Sequence, residues 1–183
     1  FVCGFLILLL GMADDRYELK PWQKLGGQII VPGLLWHGGV RITTLPFSAG
    51  THALSDPLSL FVTLLWVLGI SNGINFIDGV DGLAAGVCAI AAGSLCLIEW
   101  GRAPWAAAVS AALCGASLGF LRHNFYPAKI FLGDAGSQLL GFWLAAIGLA
   151  AASKTAAATT LALPSLILGV RICDKARAVA RRT

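Results

Sequence analysis

The chain has 183 residues, of which 57% are hydrophobic and 12% charged, with a formal net charge of +4 and a mean hydropathy of +0.80. A soluble domain carries about 25% charged residues, so this composition excludes an ordinary soluble globule and predicts an integral membrane protein. The same apolar content excludes nucleic acid as a partner; the basic excess suits an anionic membrane leaflet and anionic substrates.

In chain order, apolar runs occupy 1–11, 22–36, 58–74, 83–100, 105–121, 139–152 and 159–172. A helix crossing the hydrocarbon core takes about 20 residues, so the expected fold is all-α, a polytopic transmembrane helical bundle with about seven membrane segments. One integral membrane domain over 1–183 is expected. The first run starts within apolar sequence, without an initiator Met or a charged n-region, and the chain stops abruptly at Arg181-Arg182-Thr183. Truncation of a longer protein at both ends is therefore expected. The joining segments are brief except 37–57, which reads as a polar loop. Cys3, Cys88, Cys96, Cys114 and Cys173 form no CxxC pair and read as small packing residues. Trp22, Trp36, Trp100 and Trp105 fall at run ends, where an interfacial aromatic belt is expected.

If each run crosses once, segments 12–21, 75–82, 122–138 and 173–183 share one face, and 37–57, 101–104 and 153–158 share the other. The first face holds Arg16, Lys20, Arg122, Lys129, Lys175, Arg177, Arg181 and Arg182, with Lys24 and Arg171 at its edge. The second holds only Arg41, Arg102 and Lys154. The positive-inside rule makes the first face cytoplasmic. Asp14, Asp15, Asp78, Asp81 and Asp134 all lie on it, whereas Asp56 and Glu99 lie opposite.

Carboxylates gathered at a membrane face repel one another unless a cation intervenes. Oxygen ligands suit Mg²⁺, which keeps waters and takes one or two carboxylates plus substrate phosphates; Mn²⁺ is the alternative ion. No His/Cys cluster offers zinc a site. With Lys24 and Lys129 nearby, the parts compose a phosphoryl-transfer site, where catalysis is mostly positioning and charge neutralisation. Each acidic group also has a plainer reading. Asp14-Asp15 suits an interfacial turn, Asp78 and Asp81 among glycines suit a tight turn, and Asp134 or Ser137 suits a helix N-cap.

Three segments resemble the signatures of one family. They are Asp14-Asp15-Arg16-Tyr17-Glu18-Leu19-Lys20-Pro21 with Lys24-Leu25-Gly26-Gly27-Gln28, then Asn72 through Ala84 (NGINFIDGVDGLA), and Asn124 through Ser137 (NFYPAKIFLGDAGS). Together they resemble the polyprenyl-phosphate N-acetylhexosamine-1-phosphate transferases, in family order and over nearly the whole chain. The resemblance implies a bacterial inner-membrane enzyme with a cytoplasmic-face site. Such an enzyme moves a sugar-1-phosphate from a UDP-sugar to a polyprenyl phosphate such as undecaprenyl phosphate, with Mg²⁺, and releases UMP. It further implies that Asp134 ligates the metal with Asn75 as second ligand. Asp14 and Asp15 would lie by the metal and the lipid phosphate, and Lys24 would contact phosphate. Asp78 and Asp81 would shape the nucleotide–metal pocket, Lys129 would support the metal motif, and Asn72 would belong to the substrate-binding set. The phrase Phe76-Ile77-Asp78-Gly79-Val80-Asp81 favours an N-acetylglucosamine donor over the phospho-N-acetylmuramoyl-pentapeptide transferase alternative. The family's histidine-rich motif does not occur before Thr183, and Arg171 through Lys175 carries unusual basic residues.

Two other classes compete. A CDP-alcohol phosphotransferase would share Asp78, Asp81, Gly82 and Ala85, but Gly86 replaces its arginine. A transporter or proton relay would place its acids at mid-depth on several helices rather than at one face.

Overall fold

The computed structural model describes residues 1–47 and 50–152; the predicted run at 159–172 and the basic stretch 173–183 lie outside the described residues. Six helices and one hairpin are described. The helices are α1 (Val2–Tyr17), α2 (Pro21–His37), α3 (Asp56–Ile77), α4 (Leu83–Glu99), α5 (Pro104–Asn124) and α6 (Gly133–Ala152). The hairpin strands are β1 (Thr44–Phe47) and β2 (Gly50–Ala53).

Local chemistry sets the helix ends. Glu18 takes a left-handed conformation, φ 48°, and the Asp14 carboxylate accepts the Leu19 N–H at 3.0 Å, so α1 stops and the chain turns. Pro21 opens α2, where its missing N–H is no loss, and the Gln23 side chain accepts the Lys20 N–H at 3.1 Å. Pro57 and Pro104 serve the same purpose at α3 and α5.

Two expectations are corrected here. The loop 37–57 contains an antiparallel hairpin, paired from Thr44↔Ala53 to Phe47↔Gly50, so the described part is helical with a small β element. Asp14, Asp15 and Asp134 are not loop residues either, whereas Asp78 and Asp81 lie in the turn between α3 and α4. α1 continues past its apolar run to take in Asp14 and Asp15, and α6 starts at Gly133, ahead of its apolar run, so Asp134 lies in its first turn.

α6 is the central helix and packs against α1, α3, α4 and α5. One apolar cluster joins α3, α4 and α6 through Ile74, Ala84, Cys88, Leu140 and Leu144. A second joins α1, α2, α3 and α6 through Ile7, Val31, Val67, Phe142 and Ala145. Two glycines allow the closest helix crossings. A Cβ on Gly11 would lie 2.4 Å from the Ala135 Cα, and one on Gly141 would lie 2.6 Å from the Ser71 Cα.

The outward helix faces are apolar as well. Phe5, Leu9 and Met12 on α1, Trp22, Leu25, Ile29 and Leu34 on α2, and Leu58, Phe61 and Leu65 on α3 are exposed. Helices that are apolar on both faces belong in a core or in lipid. α3 and α5 are long and apolar enough to cross a membrane, and α4 is a shorter apolar helix.

Side-chain contacts separate the two ends of the bundle. At one end the C-termini of α1, α3 and α5 meet the N-termini of α2, α4 and α6 through Asp14, Lys24, Asn75, Gly82, Asn124 and Asp134. At the other end the Arg41 guanidinium lies over Trp36 and 3.4 Å from Asp56. There Ser59 accepts the Trp36 indole N–H and donates to the Ile42 carbonyl, holding the hairpin's approach against α2 and α3.

Candidate active site

The site is built on Lys24, one turn into α2. Its ammonium lies 2.6 Å from Asp14 Oδ2 and 2.9 Å from Asp134 Oδ2, so it bridges α1 and α6. The second Asp134 oxygen accepts a short hydrogen bond from the Asn75 amide, which also donates to Ser137 Oγ at 2.8 Å. Asp14 is buried, and its other oxygen holds the Leu19 N–H. Three helices thus deliver a lysine, an asparagine and an aspartate to one point, with Asp14 closing the charge on the fourth side.

Asp15 has a different task from its neighbour. Its two oxygens accept the backbone N–H groups of Asp134 and Ala135, at 2.8 and 3.0 Å. The N-cap of α6 is therefore Asp15, supplied from α1, and neither Asp134 nor Ser137; Ser137 Oγ instead donates to the Gly133 carbonyl. A carboxylate on a helix N-terminus also meets the favourable end of the helix dipole. Gly133 sits at φ 65°, and a Cβ there would press on the Asp15 carboxylate at 3.0 Å, so both conformation and space favour glycine at this position.

The turn 78–82 lies beside this cluster. Burial raises the Asp78 carboxyl to about 6, and the charges of Asp134 and Asp15 add to the effect. Asp81 points elsewhere, accepting the Ala128 N–H at 3.0 Å. Buried Asn124 accepts the Gly82 N–H and donates to the Ile130 carbonyl. Asp81 and Asn124 therefore fasten the 78–82 turn to the 125–132 segment. Lys129 is exposed, and among the described residues its side chain forms no ion pair.

Of the residues singled out in the sequence, the structure joins Asp14, Asp15, Lys24, Asn75 and Asp134 directly and sets Asp78 within reach of their charge. Asn72 lies one turn deeper, exchanging amide hydrogen bonds with Gln28 at 3.1 and 3.2 Å. Asp81 and Lys129 stand outside the cluster. Three polar residues had been given no role: Gln28, Gln138 and Asn124. Each is buried, and the available signal was a glutamine or asparagine inside or against an apolar run.

No group of three or more His, Cys, Asp or Glu converges at metal-binding distance among the described residues. That fits an ion held by one or two protein oxygens and completed by water and phosphates, rather than an all-protein cage. The acidic excess fits too: the charges of Asp134 and Asp15 add to the burial that makes Asp78 harder to ionise, and among the described residues Lys24 is the only cation bonded to the cluster. Asp134, with the Asn75 amide oxygen after reorientation, would hold such an ion.

The family model for glycosyl transferase family 4 matches residues 1–169. The chain belongs to that family. A Bacillus subtilis relative named probable undecaprenyl-phosphate N-acetylglucosaminyl 1-phosphate transferase is 35% identical over 184 residues, covering 99% of this chain and 51% of its own length. The decaprenyl-phosphate N-acetylglucosaminephosphotransferase of Mycobacterium tuberculosis H37Rv is 41% identical over 170 residues, 85% of this chain and 40% of its own. A phospho-N-acetylmuramoyl-pentapeptide-transferase from Levilactobacillus brevis is 37% identical over 161 residues, 79% of this chain and 50% of its own. The chain spans about half the length of the curated relatives it matches.

Proposed function

We propose that the protein to which this chain belongs transfers N-acetylglucosamine-1-phosphate from its UDP derivative to a polyprenyl phosphate, undecaprenyl phosphate in a bacterium, releasing UMP and initiating a cell-envelope polysaccharide. The observation that carries this reading is the Asp14–Lys24–Asp134–Asn75 cluster at the meeting point of helix ends. It sets two carboxylates against one ammonium, an oxygen-rich site that a divalent cation would complete for phosphate groups. The family and the names of its relatives supply the substrate classes. The bundle spans the bacterial inner membrane in about seven segments, with the cluster on the cytoplasmic side, by the positive-inside argument.

In the reaction, an oxygen of the lipid phosphate forms a bond to the β-phosphorus of the donor. The bond from that phosphorus to the bridging oxygen breaks, and its electron pair leaves with UMP. A phosphate monoester is largely ionised at neutral pH, its second pKa being about 6, so little is gained by removing a proton from it. The contacts of Asp14 with Lys24 and Leu19, and of Asp15 with the α6 N-terminus, support an orienting role for both. Lys24 shifts from Asp134 toward phosphate as substrates arrive. Asp134 and Asn75 would hold Mg²⁺ or Mn²⁺, whose chemistry there would be neutralisation of diphosphate charge and of the leaving group. The N-termini of α2 and α4 add positive dipole ends at the same end of the bundle, whereas that of α6 is already met by Asp15.

The test is UMP release by the full-length parent in detergent, given UDP-N-acetylglucosamine and Mg²⁺ with and without undecaprenyl phosphate. Release should require lipid and metal and fall by roughly 10²-fold or more in Asp134→Asn. Release only with the UDP-muramoyl-pentapeptide donor would move the assignment to the other named branch, which the Levilactobacillus relative keeps in view. Silence with every UDP-sugar from folded protein would sink the enzyme reading.

A further inference from the structure

One turn beneath the charged cluster lies a second, uncharged layer built on the same three helices. Gln28 follows Lys24 by four residues on α2, Asn72 precedes Asn75 by three on α3, and Gln138 follows Asp134 by four on α6. On a helix these spacings stack side chains on one face. The lower layer is a single oriented chain of amides. Asn72 donates to the Leu68 carbonyl at 2.9 Å, which fixes which way its amide faces. Its remaining contacts, a reciprocal pair with Gln28 at 3.1 and 3.2 Å, are then determined. That pairing in turn directs Gln28 Nε2 to Gln138 Oε1 at 3.2 Å.

Gln28 is 3% exposed and Gln138 is fully buried, and among the described residues Gln138 Nε2 has no hydrogen-bond partner. A buried donor without a partner costs free energy, and a shape-matched apolar residue there would be near neutral or better for stability. The layer is thus poorly explained as a device for stability alone.

We propose that Gln28, Asn72 and Gln138 are positioning residues. Their amide chain locks the rotational register of α2, α3 and α6, and so holds Lys24, Asn75 and Asp134 in the geometry that transfer requires. The link to transfer rests on the function proposed above; the register claim itself needs no substrate. Loss of a group that supports a site's direct ligands costs about 10–100-fold in activity or affinity, and the layer should behave this way.

The experiment uses the full-length parent in detergent with three variants. Gln28→Met removes the central amide at similar volume. The exchange Gln28→Asn with Asn72→Gln keeps a reciprocal pair across α2 and α3. Ile147→Val loosens the buried core of α6 away from the layer. Two quantities are read: the rate at which an amine-reactive acylating reagent labels Lys24, followed by mass spectrometry, and kcat and KM for UMP release. Gln28→Met should label at Lys24 several-fold faster and lose about tenfold or more in kcat, with KM for the UDP-sugar little changed. The exchange variant should recover much of both losses, and Ile147→Val should move neither. Lys24 labelling in Gln28→Met equal to that in Ile147→Val would overturn the proposal. If the wild type releases no UMP with any donor, the functional reading fails, and the labelling comparison still decides the register claim.

Discussion

Asp14 and Asp15 are adjacent, yet they serve different helices. Asp14 turns inward to Lys24 and closes α1 on itself through Leu19. Asp15 turns outward to the first turn of α6. Asp15→Ala should therefore behave as loss of a cap, lowering unfolding stability by about 1–2 kcal/mol. Asp15→Asn, which keeps an acceptor oxygen but not the charge, should cost less. Chemical denaturation of the parent protein in mixed micelles would measure both; equal costs would point to charge rather than hydrogen bonding. Asp78 offers a test by pH. Burial first, then Asp134 and Asp15, hold its carboxyl at about 6 in the folded protein, against 3.8 for the free group. Between those values the folded state binds more protons than the unfolded state, so stability falls as pH rises through the window and stays reduced above it. Asp78→Asn removes that penalty. It should raise the metal-free Tm at pH 7.5, and the gain should vanish near pH 4. A gain of the same size at both pH values would show that its origin is packing rather than charge.

At the scale of elements, the long apolar periods were readable because a spanning helix needs a long uninterrupted run. All six described helices fall on predicted runs. Their ends were not readable to the same degree. α1 and α6 extend past their apolar runs because Asp15 caps α6, while Lys24 of α2 and Asn75 of α3 satisfy Asp14 and Asp134, a tertiary event that local composition does not encode. The hairpin at 44–53 lay in a stretch that offered Thr, Gly and Ser but no strong alternation. The glycine crossings were equally hidden, since only the packed geometry separates Gly11 from Gly33. A Cβ on Gly11 meets α6 backbone at 2.4 Å, whereas one on Gly33 meets nothing within 4 Å. Gly11→Ala must push α1 off α6 and should cost about 1–3 kcal/mol. It should also lower activity, because Asp14 and Asp15 ride on the displaced turn. Gly33→Ala should stabilise by roughly 0.4–1 kcal/mol, through a less disordered unfolded chain. Thermal unfolding and UMP release on the two variants would check the contrast; similar behaviour would mean that α1 and α6 do not cross this closely.

For the whole molecule, the grouping of 14–24, 75–82 and 124–134 at one end was legible from counting crossings, and side-chain contacts assemble those segments. The reason is simple: six antiparallel passes leave alternate connections at alternate ends. What counting could not supply was which polar groups touch. Lys24 with Asp134 and Gln28 with Gln138 are each 110 residues apart in sequence, and Asp81 proved to be a fastener for Ala128. The membrane reading makes a demand on this architecture that an enzyme assay does not test. Glu18 and Val80 are exposed near the clustered end, and Thr43 is exposed at the hairpin end. With Cys3, Cys96, Cys114 and Cys173 replaced and buried Cys88 retained, single cysteines at 18, 80 and 43 can be probed in sealed vesicles of both orientations. A membrane-impermeant maleimide should label positions 18 and 80 only from the cytoplasmic side, and position 43 only from the opposite side. Labelling of 18 and 80 from opposite sides would break the parity that places the site at one surface. Labelling of either from both sides would instead describe a water-filled path through the bundle, the behaviour of a transporter rather than of a transferase whose donor is confined to the cytoplasm.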